Sequence, residues 1–407
     1  MKSKALNLLD KYKHELGIFV LLCLQALVLN FRSLWYMDEN FIVYYLADFS
    51  MGKTSRLLIG SIVNLFTDSP TELWLNNFAR VVLVLTFVFT AAVIGNAIKN
   101  VKEEMRMPAY AVTLFFVTGS FTMYGFSRFF GLLDIYMFVF SLLAIVFAQN
   151  KYLRWLVPLV CLAGVFVNYV YTISYFPVVI LVILYFADMR KKKAADITVF
   201  CITVISVLAA TFFCAFWGKN TMTVSFEEML ELLQQKLGAE ITFDQMKYYR
   251  YYLFAQEMSG DVLVDASQWT PAEYVWGLLD YVLNFARDNT GVATLMIACL
   301  PVIGIFWAVW IMCIRATEKK SRRFVFACFL LSTLFVFACC ILSTDLTRWI
   351  TAGVLSQFML CFFMFAVRDE AFEKTMLKLK TYFTNNKLVL IVIFAMYAFT
   401  GHLSLEM

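Results

Sequence analysis

The sequence predicts an all-α, polytopic membrane helix bundle. Composition supplies the first reason: 62% of the 407 residues are hydrophobic and only 15% are charged, with a mean hydropathy of +0.75. Water-soluble domains carry roughly a quarter charged residues, so this chain has too little polar surface to stay dissolved. The apolar residues also gather into about eleven segments of spanning length, and basic clusters recur in alternate connections between those segments, which places them on one side. The same composition excludes a disordered chain, a secreted disulfide scaffold and a nucleic-acid binder resting on a basic stripe.

Taken in order, Lys2, Lys4, Lys11 and Lys13 precede an apolar run with no small-residue cleavage site, so that run is expected to be retained as a first span over 16–34. Further spans are expected over 79–98, 108–128, 132–148, 154–170, 173–187, 196–216, 291–314, 323–343, 349–367 and 387–401. The narrowest boundary is at Asn168, Tyr169, Tyr171, Thr172 and Tyr175, a short polar turn between two of them. A cytoplasmic N-terminus puts Lys99/Lys102/Arg106, Lys151/Arg154, Arg190 to Lys193, Arg315 to Arg323 and Lys374/Lys378/Lys380 on one inner side. The outer side then holds two long segments, 35–78 and 217–290, and the short turns near 128–134 and 345–348. The net charge of +5 is thus the small difference between a basic inner side and an acidic outer one.

The long outer segments carry helix signals of their own. Thr270-Pro271-Ala272-Glu273 has capping-box spacing with Pro at the first helical position, and Ser225 to Glu228 opens a similar helix. Leu58, Ile59, Ile62, Val63 and Phe66 make a third amphipathic stretch. No internal repeat divides the chain, which is expected to be one membrane domain over 1–407.

Candidate site residues cluster toward the outer side. Asp38 and Glu39 follow the first span directly; Asp134 and Arg128 stand at the outer edge of one hairpin, and Asp345 and Arg348 at the matching depth of another. Ionisable groups at that depth usually face an interior or a water-filled cavity. Local Arg128–Asp134 and Asp345–Arg348 hairpin salt bridges are the structural alternative. Tyr248 and Arg250, in a run of basic and aromatic residues, suit sugar stacking and phosphate contact or, equally, interfacial anchoring. Histidine is confined to His14 and His402, so acid–base work on the outer side falls to carboxylates, while arginine suits a phosphate leaving group. The ten cysteines lie in apolar stretches without zinc-type spacing.

Asp38-Glu39 after the first span, a long first outer loop with a surface helix, and seven spans before a second long outer loop together resemble the GT-C superfamily of membrane glycosyltransferases. The resemblance in layout covers most of 1–314, with 315–407 as additional C-terminal helices. Arg128 to Asp134 resembles the Arg…Leu-Leu-Asp stretch of protein O-mannosyltransferases, with one residue more between its ends. Gly52 to Phe66 is similar to the Gly-Arg…Leu-Leu segment of bacterial O-antigen-modifying glucosyltransferases, with Arg56 displaced from its place beside the glycine. The resemblance implies inverting transfer of a sugar from a polyprenyl-phosphate donor to a glycan, lipid or protein acceptor at the outer face of a cell membrane. It makes Asp38 the general base, Glu39 its neighbour or positioner, and Arg56 and Asp134 substrate-binding residues. Some members of the superfamily use a divalent cation, Mg or Mn, and others none. A transporter or flippase of lipid-linked saccharides, or a polysaccharide polymerase or ligase, are the rival expectations. No Asn-x-Ser/Thr sequon occurs, which suits a bacterial plasma membrane.

Overall fold

The computed structural model describes residues 10–30, 34, 36–123, 125–126, 130–190, 193–243, 245–246, 249, 254, 290–339 and 346–403. Among these residues the chain is helical with no strand. A helix stands at each of the expected apolar segments: α1 (Lys13–Asn30), α4 (Glu72–Asn100), α5 (Glu103–Thr118), α7 (Asp134–Gln149), α8 (Val157–Val167), α10 (Phe176–Met189), α11 (Lys193–Phe212), α13 (Thr290–Ala316), α14 (Lys320–Cys339), α15 (Leu346–Val367) and α17 (Lys387–Leu403). Short or surface helices lie between them: α2 (Glu39–Leu46), α3 (Leu58–Asn64), α6 (Ser120–Met123), α9 (Tyr171–Ser174), α12 (Phe226–Leu237) and α16 (Glu370–Asn385). The stretches Glu72–Asn100, Ala194–Trp217 and Arg348–Val367 are each long and apolar enough to cross a membrane.

Local chemistry explains the boundaries. Thr71 caps α4 by accepting the Trp74 N–H at 3.2 Å, and Ser225 and Glu228 complete the expected capping box on α12, which Gly238 closes in a left-handed conformation. The polar turn at Asn168 does separate α8 from α10. Asn168 leaves the helical conformation, its side chain accepts the Val170 N–H at 3.2 Å, and Pro177 opens α10. Two sequence expectations change. The segment expected over 108–128 breaks at Gly119, where a Cβ would lie 2.2 Å from the Tyr397 hydroxyl on α17. The stretch bearing Lys374, Lys378 and Lys380 is the helix α16, set off by Asp369 as its cap.

α15 is the axis of the bundle: 89% of its apolar window is enclosed, against 22% for α11. It packs on α4, α5, α10, α13 and α14, as expected of a helix that is apolar all round. Its one deeply buried amide, Gln357, accepts from Trp310 Nε1 at 2.6 Å and donates to Ser332 Oγ at 2.9 Å, so the polar group is satisfied where it sits. Large apolar side chains such as Leu85, Ile205 and Ile391 stand more than half exposed on the periphery, a surface suited to hydrocarbon rather than water.

The helices run between two chemically different ends. α7 passes from Asp134 to Gln149, α15 from Arg348 to Val367, and α4 from Glu72 to Lys99, which pairs with Glu15 near the start of α1 at 2.5 Å. The end holding Lys99, Arg154, Arg190 and Arg322 is the basic end. The opposite end, holding Asp38, Asp48 and Asp134, is the acidic end and bears a cap built from α2, α3 and α12.

Candidate functional site

The site begins where α1 gives way to α2. Met37 is anchored by its N–H, which donates to Asn76 Oδ1 of α4 at 2.6 Å; Asn76 is held in turn by the Glu72 carbonyl at 3.0 Å. Asp38 then caps α2. Its Oδ1 accepts both the backbone N–H and the side-chain amide of Asn40, at 2.8 and 2.7 Å, and among the described residues Oδ2 carries no bond. One oxygen of an exposed carboxylate is therefore fixed and the other is presented outward. Glu39, also exposed, accepts from Gln245 Nε2 at 2.8 Å.

Gly131 ties this corner to the next motif. Its φ of +95° is reserved for glycine, and a Cβ there would lie 2.4 Å from Met37 Cγ. The residue before Asp38 thus packs onto the stretch that ends in Asp134. Asp134, at the start of α7, receives Nε and Nη2 of Arg348 at 2.6 and 2.7 Å, a two-pronged ion pair whose side chains are 12% and 25% exposed. Arg348 thus reaches across to Asp134 and joins α15 to α7; the partners of the local hairpin alternatives, Arg128 and Asp345, lie outside the described residues. Tyr175, buried at the head of α10, lies within electrostatic reach of both charges.

Arg56 sits deeper in the cap. It adopts φ +71°, its N–H donates to the carbonyls of Phe166 and Val167 at 2.9 and 3.2 Å, and its guanidinium stands 6.0 Å from the Tyr44 ring. The Tyr249 hydroxyl donates to the Arg56 carbonyl at 3.0 Å, so this member of the aromatic run is buried in the cap. Arg128, Tyr248, Arg250 and Asp345, together with the helix expected after Thr270, lie outside the described residues.

Several residues not singled out from the sequence hold the cap together. Asp48 is buried and pairs with Lys236 of α12, whose ammonium also donates to the Leu46 carbonyl at 3.2 Å. Burial raises the Asp48 pKa, but the bonds from Lys236 and Ser50 outweigh it and hold the carboxyl below its usual range. Lys53 N–H donates to Thr221 Oγ1 at 2.8 Å and Thr223 N–H to the Met51 carbonyl at 3.0 Å. The two long segments expected on one side therefore fold onto each other. Local signals were present: Asp48-Phe49-Ser50 has the spacing of an Asx turn, and Gln245, which meets Glu39, forms with Thr242 the spacing of a capping box.

Comparison with family models, with curated proteins and with solved structures finds no match. The reading of the site rests on its own chemistry. Among the described residues no group of three or more metal-ligating side chains gathers. Asp134 is engaged by Arg348, so Asp38 and Glu39 are the carboxylates that would take a divalent cation, with water and phosphate oxygens completing its shell.

Proposed function

We propose that this protein is a multi-pass membrane glycosyltransferase of GT-C type. In this reading about eleven helices cross a cell membrane, the basic end faces the cytoplasm and the acidic end faces outward. A sugar passes from a polyprenyl-phosphate donor to an acceptor hydroxyl at that outer face. The contact between Met37 and Gly131 is the observation that carries the reading. It sets Asp38 against the stretch ending in Asp134, which is itself joined to Arg348, so residues from three separated parts of the chain gather at one end of the bundle.

The chemistry follows from the carboxylate geometry. Asp38 Oδ2 removes the acceptor proton as the hydroxyl oxygen attacks the anomeric carbon on the side opposite the phosphate. The bond from that carbon to the phosphate oxygen breaks, and polyprenyl phosphate departs with the electron pair. Arg348 stabilises the developing phosphate charge, so the leaving group needs no proton. Ionisable groups at the ends of α7 and α15, rather than halfway along them, support this reading over a transporter.

Asn is as good a helix cap as Asp, so Asp38→Asn leaves α2 intact while removing the base. Purified full-length protein, assayed with a panel of polyprenyl-phosphate sugars and acceptors, is expected to lose transfer by about 10²–10⁴-fold on this change, with donor binding retained. Unchanged turnover would sink the assignment.

A further inference from the structure

The start of α15 brings together an ion pair and two buried donors without partners among the described residues. Arg348 places Nε and Nη2 on Asp134. Beside it Trp349 is 6% exposed, and one turn along the same face Thr351 is 3% exposed. Neither the indole N–H nor the threonine hydroxyl has a hydrogen-bond partner among the described residues. Thr86, Thr113 and Thr203, also buried in helices, return their hydroxyl to the carbonyl four residues back at 2.8, 2.8 and 2.6 Å; Thr351, like Thr90 of α4, does not. A buried donor left unmade is costly, and these donors stand near the N-terminus of the most enclosed helix. Guanidinium and indole groups donate only. Thr351 follows Arg348 by three positions and shares its face, so guanidinium, hydroxyl and positive helix end make a donor set matched to an acceptor-rich oxyanion.

We infer that this turn is a phosphoryl-binding subsite that Asp134 keeps closed until a phosphate displaces it. Carboxylate and phosphate both fit the guanidinium fork, and both are negative, so they compete for the same two N–H groups. In the resting protein the Asp134 carboxylate holds Nε and Nη2 of the half-buried Arg348 and offsets its charge. When the phosphate of a lipid-linked donor arrives, Arg348 passes from carboxylate to phosphate, while Thr351 on the same face supplies a further donor. The apparent affinity is then the intrinsic one reduced by the fraction of protein in which the pair is open. The identity of the phosphate rests on the transferase reading above; the competition itself needs only a phosphoryl group.

The gate makes a prediction of unexpected sign, that removing a negative side chain from the site tightens binding. Full-length protein in detergent would be titrated with a short-chain polyprenyl monophosphate, with inorganic phosphate and with the uncharged polyprenol. Asp134→Asn is expected to bind polyprenyl phosphate about tenfold more tightly than the wild type, with polyprenol unchanged, and Arg348→Gln to lose phosphate binding. Tightening shared by inorganic phosphate assigns the subsite to the phosphoryl group alone; tightening confined to the lipid adds its tail, and either supports the gate. Unchanged or weaker phosphate binding by Asp134→Asn overturns it. The exchange Asp134→Arg with Arg348→Asp keeps an ion pair for folding and removes the cation from the turn. That double variant should fold and fail to bind, and retained binding again overturns the gate. Because no arm contains a sugar, a wild type that gates phosphate yet transfers no sugar overturns the transferase reading and leaves the gate standing.

Discussion

At the basic end, charge is used to bind helices to one another. Asp196 of α11 accepts from Arg154 at 2.6 Å and from Arg190 at 2.8 Å, while Arg190 also donates to the last carbonyls of α7. Lys319, just before α14, and Arg322 of α14 meet Asp188 of α10, Arg322 also meets Asp369, and Lys102 meets Glu373 of α16 at 2.6 Å. At the acidic end, the described residues join elements through the ion pairs Asp134–Arg348 and Asp48–Lys236 and through hydrogen bonds such as those of Gln245 to Glu39 and of Lys53 to Thr221. Asp38 and Glu39 stay exposed there. The difference teaches a division of labour: one end spends its carboxylates on holding helices in register, and the other leaves Asp38 and Glu39 exposed and outside these ion pairs, as the proposed chemistry requires.

The strongest way to break that comparison is to remove a carboxylate from each end. Asp369 accepts from Arg322 and, at 2.9 Å, from the Tyr185 hydroxyl, and it caps α16 through the Phe372 N–H at 3.0 Å. Its side chain is 3% exposed and that of Arg322 is 9% exposed. Asp369→Ala therefore leaves a buried guanidinium with Asp188 at 3.3 Å as its remaining carboxylate partner among the described residues. The expected loss is about 3–5 kcal/mol of stability, read as denaturant or thermal unfolding of the detergent-solubilised protein. Asp38→Asn should change stability by only a few tenths of a kcal/mol. Similar losses at the two ends would refute the division.

The same contrast explains what was legible in the sequence. Apolar segments marked where helices stand because burial depends on composition over a window, and the Ser225 to Glu228 cap was visible because it is a local pattern. Depth along the helices also brought Asp134 and Arg348 to one level. Their mutual pairing was not visible: the partners are 214 positions apart, and each has a nearer opposite charge, Arg128 or Asp345, in its own hairpin. α16 was hidden for a related reason, since its lysines read as an inner loop while Phe372 and Met376, which bury against the bundle, are too few to stand out beside spans.

A smaller effect sharpens the comparison on the acidic side. Gly131 holds a φ of +95° and receives Met37 where a side chain would stand. Gly131→Ala is expected to cost about 1–3 kcal/mol in backbone strain, and Met37 must move aside. Because Met37 precedes Asp38, transfer should fall by more than the fraction of protein lost to unfolding. A turnover loss that matched the folded fraction would mean that the Asp38 corner tolerates displacement.

The smallest expected effect concerns the cap alone. Asp48 is the buried carboxylate that ties α12 to the first outer segment, and its pKa is depressed because the bonds from Lys236 and Ser50 outweigh burial. A carboxyl depressed in the folded state contributes stability that is fully present above its unfolded value, about 3.9. That contribution is lost as pH falls through the lower folded value. Limited proteolysis of the cap across a pH series should therefore stay flat at neutral pH and rise only below about pH 4. In Lys236→Met the burial that raises the Asp48 pKa loses its main opponent, so the onset should move to higher pH. An onset that did not move would show that Lys236 is not what keeps this carboxylate charged, and that the cap is held by its neutral bonds instead.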